Sequence, residues 1–295
     1  FLCGSVTNTV LEQDSAEYFA DVTAFMGNVP WHVLVIAITV IVLLIGAATQ
    51  IEKANKILMP LFFVLFSILA VRVFFLPGAK EGYEFLFVPK WEALANIDTW
   101  VMAMGQAFFS LSITGSGMIV YGSYLSKKED IPRASMQTAF FDTIAAMLSA
   151  LAIMPAVFAF GIEPSAGPSL MFVTIPNIFK QMPMGRLFAV IFFLSVCFAG
   201  ITSLINMFEA VIESWQHKFK LKRNHAVLLC GALTLIVGLF MEEEARVGTW
   251  MDFITIIVVP FGAVLGAISI YYILGFDKIK EELEEGRKKG LSKIF

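Results

Sequence analysis

Asp142 carries the most chemistry in this chain. It is the only charge in the apolar stretch 134–161, with Thr138 one helical turn before it. A carboxylate held near the interior of a bilayer costs about 3 kcal/mol on insertion scales, so it must face a partner. Either a cation binds there, or the side chain makes a structural ion pair with a Lys or Arg. No basic residue stands at comparable depth in another apolar stretch, which favours the cation. A second polar set, Thr202, Ser203, Asn206, Glu209 and Glu213, recurs at steps of three and four and so shares one helical face. Hydroxyls and carbonyls suit a hard cation such as Na⁺, because hard ions take oxygen ligands. Hydroxyls also glue helices together or bond their own backbone, and it is the two glutamates that lift the set above that background. A third set, Ser110, Ser112, Thr114 and Ser116, surrounds Thr114-Gly-Ser-Gly117 inside an uncharged run. Lipid offers no hydrogen bonds, so a helix broken at that depth lines a cavity or a water-filled site. The alternative is that Gly115 and Gly117 merely allow two helices to cross closely. Asp252, beside Trp250 and Phe253, is either a helix N-terminal acid favoured by the dipole or a gate acid.

Enzymatic chemistry is not expected. The chain has no G-x-S-x-G, H-E-x-x-H or Gly-rich phosphate loop, and Asp142 lacks the second Asp that intramembrane aspartyl proteolysis would need. Cys3, Cys197 and Cys230 show no metal or redox spacing, and His32, His217 and His225 form no ligand cluster.

The elements that must position these groups are membrane spans. Hydrophobic residues make up 58% of the chain, with 29 Phe and only 15% charged residues. A hydrocarbon core about 30 Å thick takes roughly 20 apolar residues per helix. Windows near 31–50, 57–76, 100–125, 134–161, 187–213, 225–241 and 250–276 qualify. The expected fold is therefore an all-α polytopic membrane protein of about seven spans, with one helix broken at Thr114–Gly117. A net charge of −3 suggests no nucleic-acid partner. Its distribution sets the orientation. Lys53, Lys56, Lys127, Lys128, Arg133, Lys218, Lys220, Lys222 and Arg223 fall in alternate loops, and a basic tail follows; the opposite side carries Glu242-Glu243-Glu244. The positive-inside rule then puts residues 1–30 outside and the C-terminus in the cytoplasm of a plasma (inner) membrane protein.

Residues 1–30 read as a polar external segment, helical around Ser15–Met26. Residues 31–76 form a two-helix hairpin, and 77–99 an external loop whose Phe85, Phe87 and Trp91 suit an interfacial cap. The stretch 100–276 follows, interrupted by the apolar, Pro-punctuated connection 162–186, which is either a lid over a cavity or a passive connector. Residues 277–295 mix charges at helical spacing as a cytoplasmic tail. The chain opens on Phe1 rather than Met and begins outside the membrane, which fits an internal piece of a longer protein.

Four separated stretches carry a resemblance to a known family. They are Gly105-Gln106 through Tyr121-Gly-Ser-Tyr124, Gln137 through Pro155, Gly167-Pro-Ser-Leu-Met-Phe-Val-Thr-Ile-Pro176, and Phe198-Ala-Gly-Ile-Thr-Ser203. In order and spacing the chain resembles the neurotransmitter:sodium symporter family, in its bacterial amino-acid branch with the leucine-transporter-type fold. Broken helices around a midplane site are described for this very family. The resemblance implies the family's fourth to tenth helices, with 31–76 ending a first five-helix repeat and 100–276 forming the inverted second. The earlier helices would be a missing partner from the same transporter. It implies a first sodium at Ser110 and Asp142, and a second at Ala199 (through its carbonyl), Thr202 and Ser203. It implies a substrate pocket of Phe109, Ser110, Ser112, Gly115, Ser203 and Met207. Gln106 and Asp252 match the outer gate and Tyr124 the inner one. Two departures stand out. Asp142 replaces a common Asn and Ala146 a Ser of chloride-dependent members, so chloride is not expected to be required. His217 stands where an inner-gate acid is expected, and Glu213 one turn earlier is its candidate replacement.

The function expected is sodium-coupled symport of an amino acid, large and hydrophobic or aromatic, by alternating access. A truncated, non-transporting membrane scaffold and a proton-coupled amino-acid transporter using Asp142 remain the alternatives.

Overall fold

The structure, a computed structural model, describes residues 1–24, 26–46, 48–113, 117–164, 169–241 and 244–285. In chain order the helices are α1 (Leu2–Thr7), α2 (Thr9–Glu12), α3 (Ser15–Thr23), α4 (Val29–Ile45), α5 (Ala48–Phe74) and α6 (Ala79–Phe87). A 3₁₀ turn over Trp91–Ala95 precedes α7 (Ile97–Ser110), α8 (Gly117–Tyr124) and α9 (Ile131–Ala159). Then come α10 (Ser169–Phe172), α11 (Thr174–Lys180), α12 (Gly185–Phe219) and α13 (Arg223–Phe240). The last span is α14 (Glu244–Phe253), a π-helical turn (Ile254–Val258), α15 (Val259–Ile268) and a second π turn (Ser269–Leu274); α16 (Phe276–Glu284) follows.

Among the described residues, five helical runs are long and apolar enough to cross a membrane: Lys56–Phe74, Ile131–Ala159, Gly185–Phe219, Arg223–Phe240 and Arg246–Leu274. The other two expected spans differ for separate reasons. α4 is apolar but only 17 residues long, and the stretch 100–125 is divided between α7 and α8. The chain forms two compact units, one of residues 1–89 and 145–248, the other of 90–144 and 249–295. α9 contributes its first half to one unit and its second half to the other.

The first unit is organised along α12, whose 35 residues make a rod of about 52 Å. Leu65, Phe66, Leu69 and Val73 of α5 pack with Ala152 and Ala156 of α9, Ile175, Ile178 and Phe179 of α11, and Ala189, Phe192 and Phe193 of α12. Farther along, Ile205, Phe208 and Ile212 of α12 pack with Leu43 of α4 and Ala226, Val227 and Cys230 of α13. α6 lies so close to α9 that Gly82 touches the backbone of Pro155, and any Cβ there would collide with it.

Residues 1–24 are more than a polar arm. Asp14 caps α3 by accepting from the N–H groups of Ala16 and Glu17 at 2.9 and 3.0 Å, which holds its carboxyl below the ordinary value. The Ser15 hydroxyl donates to Asn177 Oδ1 at 2.8 Å, and Lys180 Nζ donates to the Gln13 carbonyl at 2.6 Å. Burial lowers the Lys180 ammonium pKa, partly opposed by Asp14. Arg186 donates to the Val6 carbonyl, and the Phe1 ring packs on Phe172 and Phe193. The later part of the 162–186 connection is thus a buried helix, with Thr174, Ile175, Pro176, Ile178 and Phe179 inside the unit.

The α12–α13 hairpin is closed by a two-pronged ion pair: Arg223 Nη2 and Nη1 donate to Glu209 Oε1 and Oε2 at 2.6 and 3.1 Å. Glu209 is 18% exposed and Arg223 40%. The planar guanidinium satisfies both carboxylate oxygens, and removing it leaves a largely covered charge.

In the second unit, Asn96 caps α7 by accepting from the Asp98 N–H at 2.9 Å. Trp100 Nε1 donates to the Leu94 carbonyl at 2.9 Å and ties the 3₁₀ turn to the helix. Only 6% of the most apolar window of the last span is buried within the chain. Its outward Ile, Leu and Phe side chains are what a hydrocarbon environment calls for.

Arg223→Ala is expected to cost about 2 kcal/mol through the stranded Glu209 carboxylate. Thermal unfolding of the detergent-purified full-length protein checks this. A lower melting temperature, only partly restored by Arg223→Lys, is the expected result because Lys cannot make the two-pronged contact. An unchanged melting temperature for Arg223→Ala would remove the pair from the account.

Candidate functional site

The chain leaves the helix at the end of α7 in a defined way. Leu111 N–H bonds back to the Ala107 carbonyl at 3.1 Å and Ile113 N–H to the Phe108 carbonyl at 3.1 Å. Between them Ser112 takes φ +52°, the left-handed region that non-glycine residues rarely enter. Helical geometry resumes at Gly117. The proposed Thr114–Gly117 break therefore falls where one helix has ended and the next has begun, although residues 114–116, and with them Gly115, lie outside the described residues.

Ser110 is the last residue of α7, and its hydroxyl donates to Asp142 Oδ2 of α9 at 2.9 Å. The two side chains thus meet within the second unit. The C-terminal end of a helix carries partial negative charge, and Asp142 adds a carboxylate to it. Negative potential from both, at membrane depth, makes a favourable position for a cation. Phe109 precedes Ser110 and is 42% exposed. Gln106 lies one turn earlier, and both it and Asp252 of α14 are exposed within this unit. Tyr124 ends α8; its side chain lies outside the description.

In the first unit the Thr202 hydroxyl reaches back along α12 to the Phe198 and Ala199 carbonyls, each at 2.9 Å. The Ala199 carbonyl and Thr202 oxygen are thereby neighbours, and Ser203 follows on an exposed face. Such back-bonding loosens a helix locally and leaves the hydroxyl oxygen with acceptor capacity. Met207, one turn beyond Ser203, is 55% exposed.

The stripe along α12 divides below this point. Glu209, read with the hydroxyls as facing a cation, is held by Arg223 instead. Arg223 was counted from sequence only as loop charge. It stands 14 residues on, just after the short turn that closes the hairpin, and that turn was the available signal. His217 lies in the last turn of α12, where a cation is favoured by the helix dipole.

Against known proteins, the model of the sodium:neurotransmitter symporter family matches residues 10–290. An uncharacterized sodium-dependent transporter, YhdH, of Bacillus subtilis is 33% identical over 266 residues, covering 86% of this chain and 59% of that protein. The sodium- and chloride-dependent GABA transporter ine of Drosophila melanogaster is 33% identical over 165 residues, 53% of this chain and 18% of that one. The crystal structure of MhsT in complex with L-phenylalanine superposes with a TM-score of 0.88 at 29% identity, covering 99% of this chain and 69% of MhsT. The chain spans about half to three-fifths of the length of its bacterial and archaeal curated relatives. Matched by the family model over nearly its whole length, this chain of membrane-length helices belongs to the sodium:neurotransmitter symporter family.

Proposed function

We propose that this chain works as part of a sodium-coupled amino-acid symporter that operates by alternating access across the plasma membrane. The observation that carries the reading is the 2.9 Å hydrogen bond from Ser110 to Asp142 at the open end of α7. A hydroxyl oxygen, a carboxylate and a helix C-terminus suit a hard monovalent cation, and their negative potential opposes an anion. In this reading Ser110 and Asp142 hold one sodium ion, and the Ala199 carbonyl, Thr202 and Ser203 hold a second. The residues matched to the family's substrate contacts, Phe109, Ser110, Ser112, Gly115, Ser203 and Met207, belong to the same proposal. Gln106 and Asp252 serve the outer gate and Tyr124 the inner one. The residue range 100–276, as an inverted repeat of the family fold, is also part of it.

L-phenylalanine in the MhsT complex supports a large hydrophobic or aromatic substrate, since the two chains share their fold at 29% identity. In this reading Asp142 brings its own carboxylate to the sodium, so no chloride is needed to balance it. The relative named as chloride-dependent shows that the family contains both modes of naming, which makes the point testable.

Uptake of a labelled amino-acid mixture by cells expressing the complete reading frame is expected to be higher in sodium than in potassium buffer. Equal uptake in both, with normal surface expression, would overturn sodium coupling; pH-driven, sodium-insensitive uptake would favour the proton-coupled alternative. Asp142→Asn is expected to lower apparent sodium affinity by about tenfold, the loss of about 1.4 kcal/mol, and to create a chloride requirement. Unchanged transport in chloride-free buffer would end the charge-balance argument. Thr202→Val with Ser203→Ala should abolish sodium-stimulated substrate binding, and full retention in a scintillation binding assay would remove the second ion from the proposal.

A further inference from the structure

Gly105 is the buried residue of α7, and the group it meets is the Thr255 carbonyl in the first π turn of the last span. A Cβ at Gly105 would lie 2.6 Å from that oxygen, and an oxygen of the backbone can retreat only if a helix moves. The chain itself explains why this carbonyl faces outward. In α-helical register it would accept from residue 259, but the Val259 N–H donates to the Ile254 carbonyl. In π register its donor would be residue 260, which is proline and has no N–H. An acceptor left over at membrane depth needs something to meet it. A glycine Cα–H at short range is a weak donor, and only a residue without a side chain lets two helix backbones come this close.

Gln106 follows Gly105 directly, and Asp252 stands one helical turn before Thr255. α7 and the last span both run inward from the same proposed face of the membrane. A contact that fixes Gly105 on Thr255 therefore also fixes how far Gln106 stands from Asp252. We infer that Gly105 and the Thr255 carbonyl form a register contact that positions Gln106 against Asp252, an inference that rests on the outer-gate reading of that pair. Gly105, Thr255 and Pro260 are positioning residues; the gate pair acts through the spacing they set. Sliding either helix by a residue would bring a side chain of α7 onto the carbonyl and separate the pair.

The test is a cross-link. Gln106→Cys with Asp252→Cys is made in the full-length protein with Cys3, Cys197 and Cys230 changed to Ser, and reacted in membranes with a short bis-maleimide. Ready cross-linking is expected with Gly105 intact. Gly105→Ala should slow it by about tenfold, which corresponds to about 1.4 kcal/mol, while each single cysteine still labels at its original rate. Pro260→Ala, which returns a donor at residue 260, should slow it in the same sense. A Gly105→Ala protein that cross-links at the original rate overturns the inference. Should Gly105→Ala fail to reach the membrane, Pro260→Ala decides by the same readout, an unchanged rate again overturning it. The cross-link needs neither sodium nor transport. Its loss of dependence on Gly105 would leave the symport reading standing, and absent sodium-driven uptake with the dependence intact would sink that reading alone.

Discussion

The hydrogen bond between Ser110 and Asp142 is the interaction on which the rest turns. A bilayer interior solvates neither a carboxylate nor the negative end of a helix dipole. Bringing the two together concentrates negative potential where nothing in lipid can offset it. In the proposed reading the arrangement is a place for a positive charge that arrives and leaves. A permanent ion pair would satisfy the same electrostatics without serving a mobile ion. The fold contains such a pair elsewhere, between Glu209 and Arg223, and there it closes a hairpin. The contrast separates a carboxylate used as a fastener from one that, in the proposed reading, serves a mobile ion.

Each compact unit supplies what its own candidate groups need. In the first, α12 is pinned over much of its length by aromatic and aliphatic packing, so the Ala199–Ser203 turn sits in a helix that is fixed on both sides of it. Residues 1–24 extend that fixation to α11 through Ser15, Lys180 and Arg186. In the second unit little side-chain burial is available, and caps, a tryptophan hydrogen bond and one close backbone approach carry the order instead. Two π turns and Pro260 in the last span give that unit a helix whose hydrogen-bond ladder is already interrupted.

Much of this was legible in the sequence because the bilayer imposes harsh rules. Asp142 announced itself as a charge with no local excuse, and the glycine-rich interruption after Ser110 announced the end of α7. The long apolar windows marked five of the helical runs found among the described residues. The failures share a cause. Glu209 looked like a cation ligand because sequence periodicity places residues on a face without saying what lies opposite, and Arg223 was hidden as a loop charge. Residues 1–24 looked like a polar arm because their few aromatics, Phe1 and Phe19 among them, bury against partners more than a hundred positions away. The π turns were invisible, since a widened turn leaves no mark on a stretch that is apolar almost throughout. Gly105 was read only as the start of a motif, and its neighbour across the helix pair comes from tertiary register alone.

Whether Ser110 and Asp142 hold sodium is measured by equilibrium binding of radiolabelled sodium to the purified full-length protein in chloride-free buffer, comparing the wild type with Ser110→Ala. Saturable sodium binding is expected, with an affinity that falls when the hydroxyl is removed while the protein stays folded by its melting transition. Sodium binding of equal affinity in both proteins, or no saturable binding in the wild type, would contradict it.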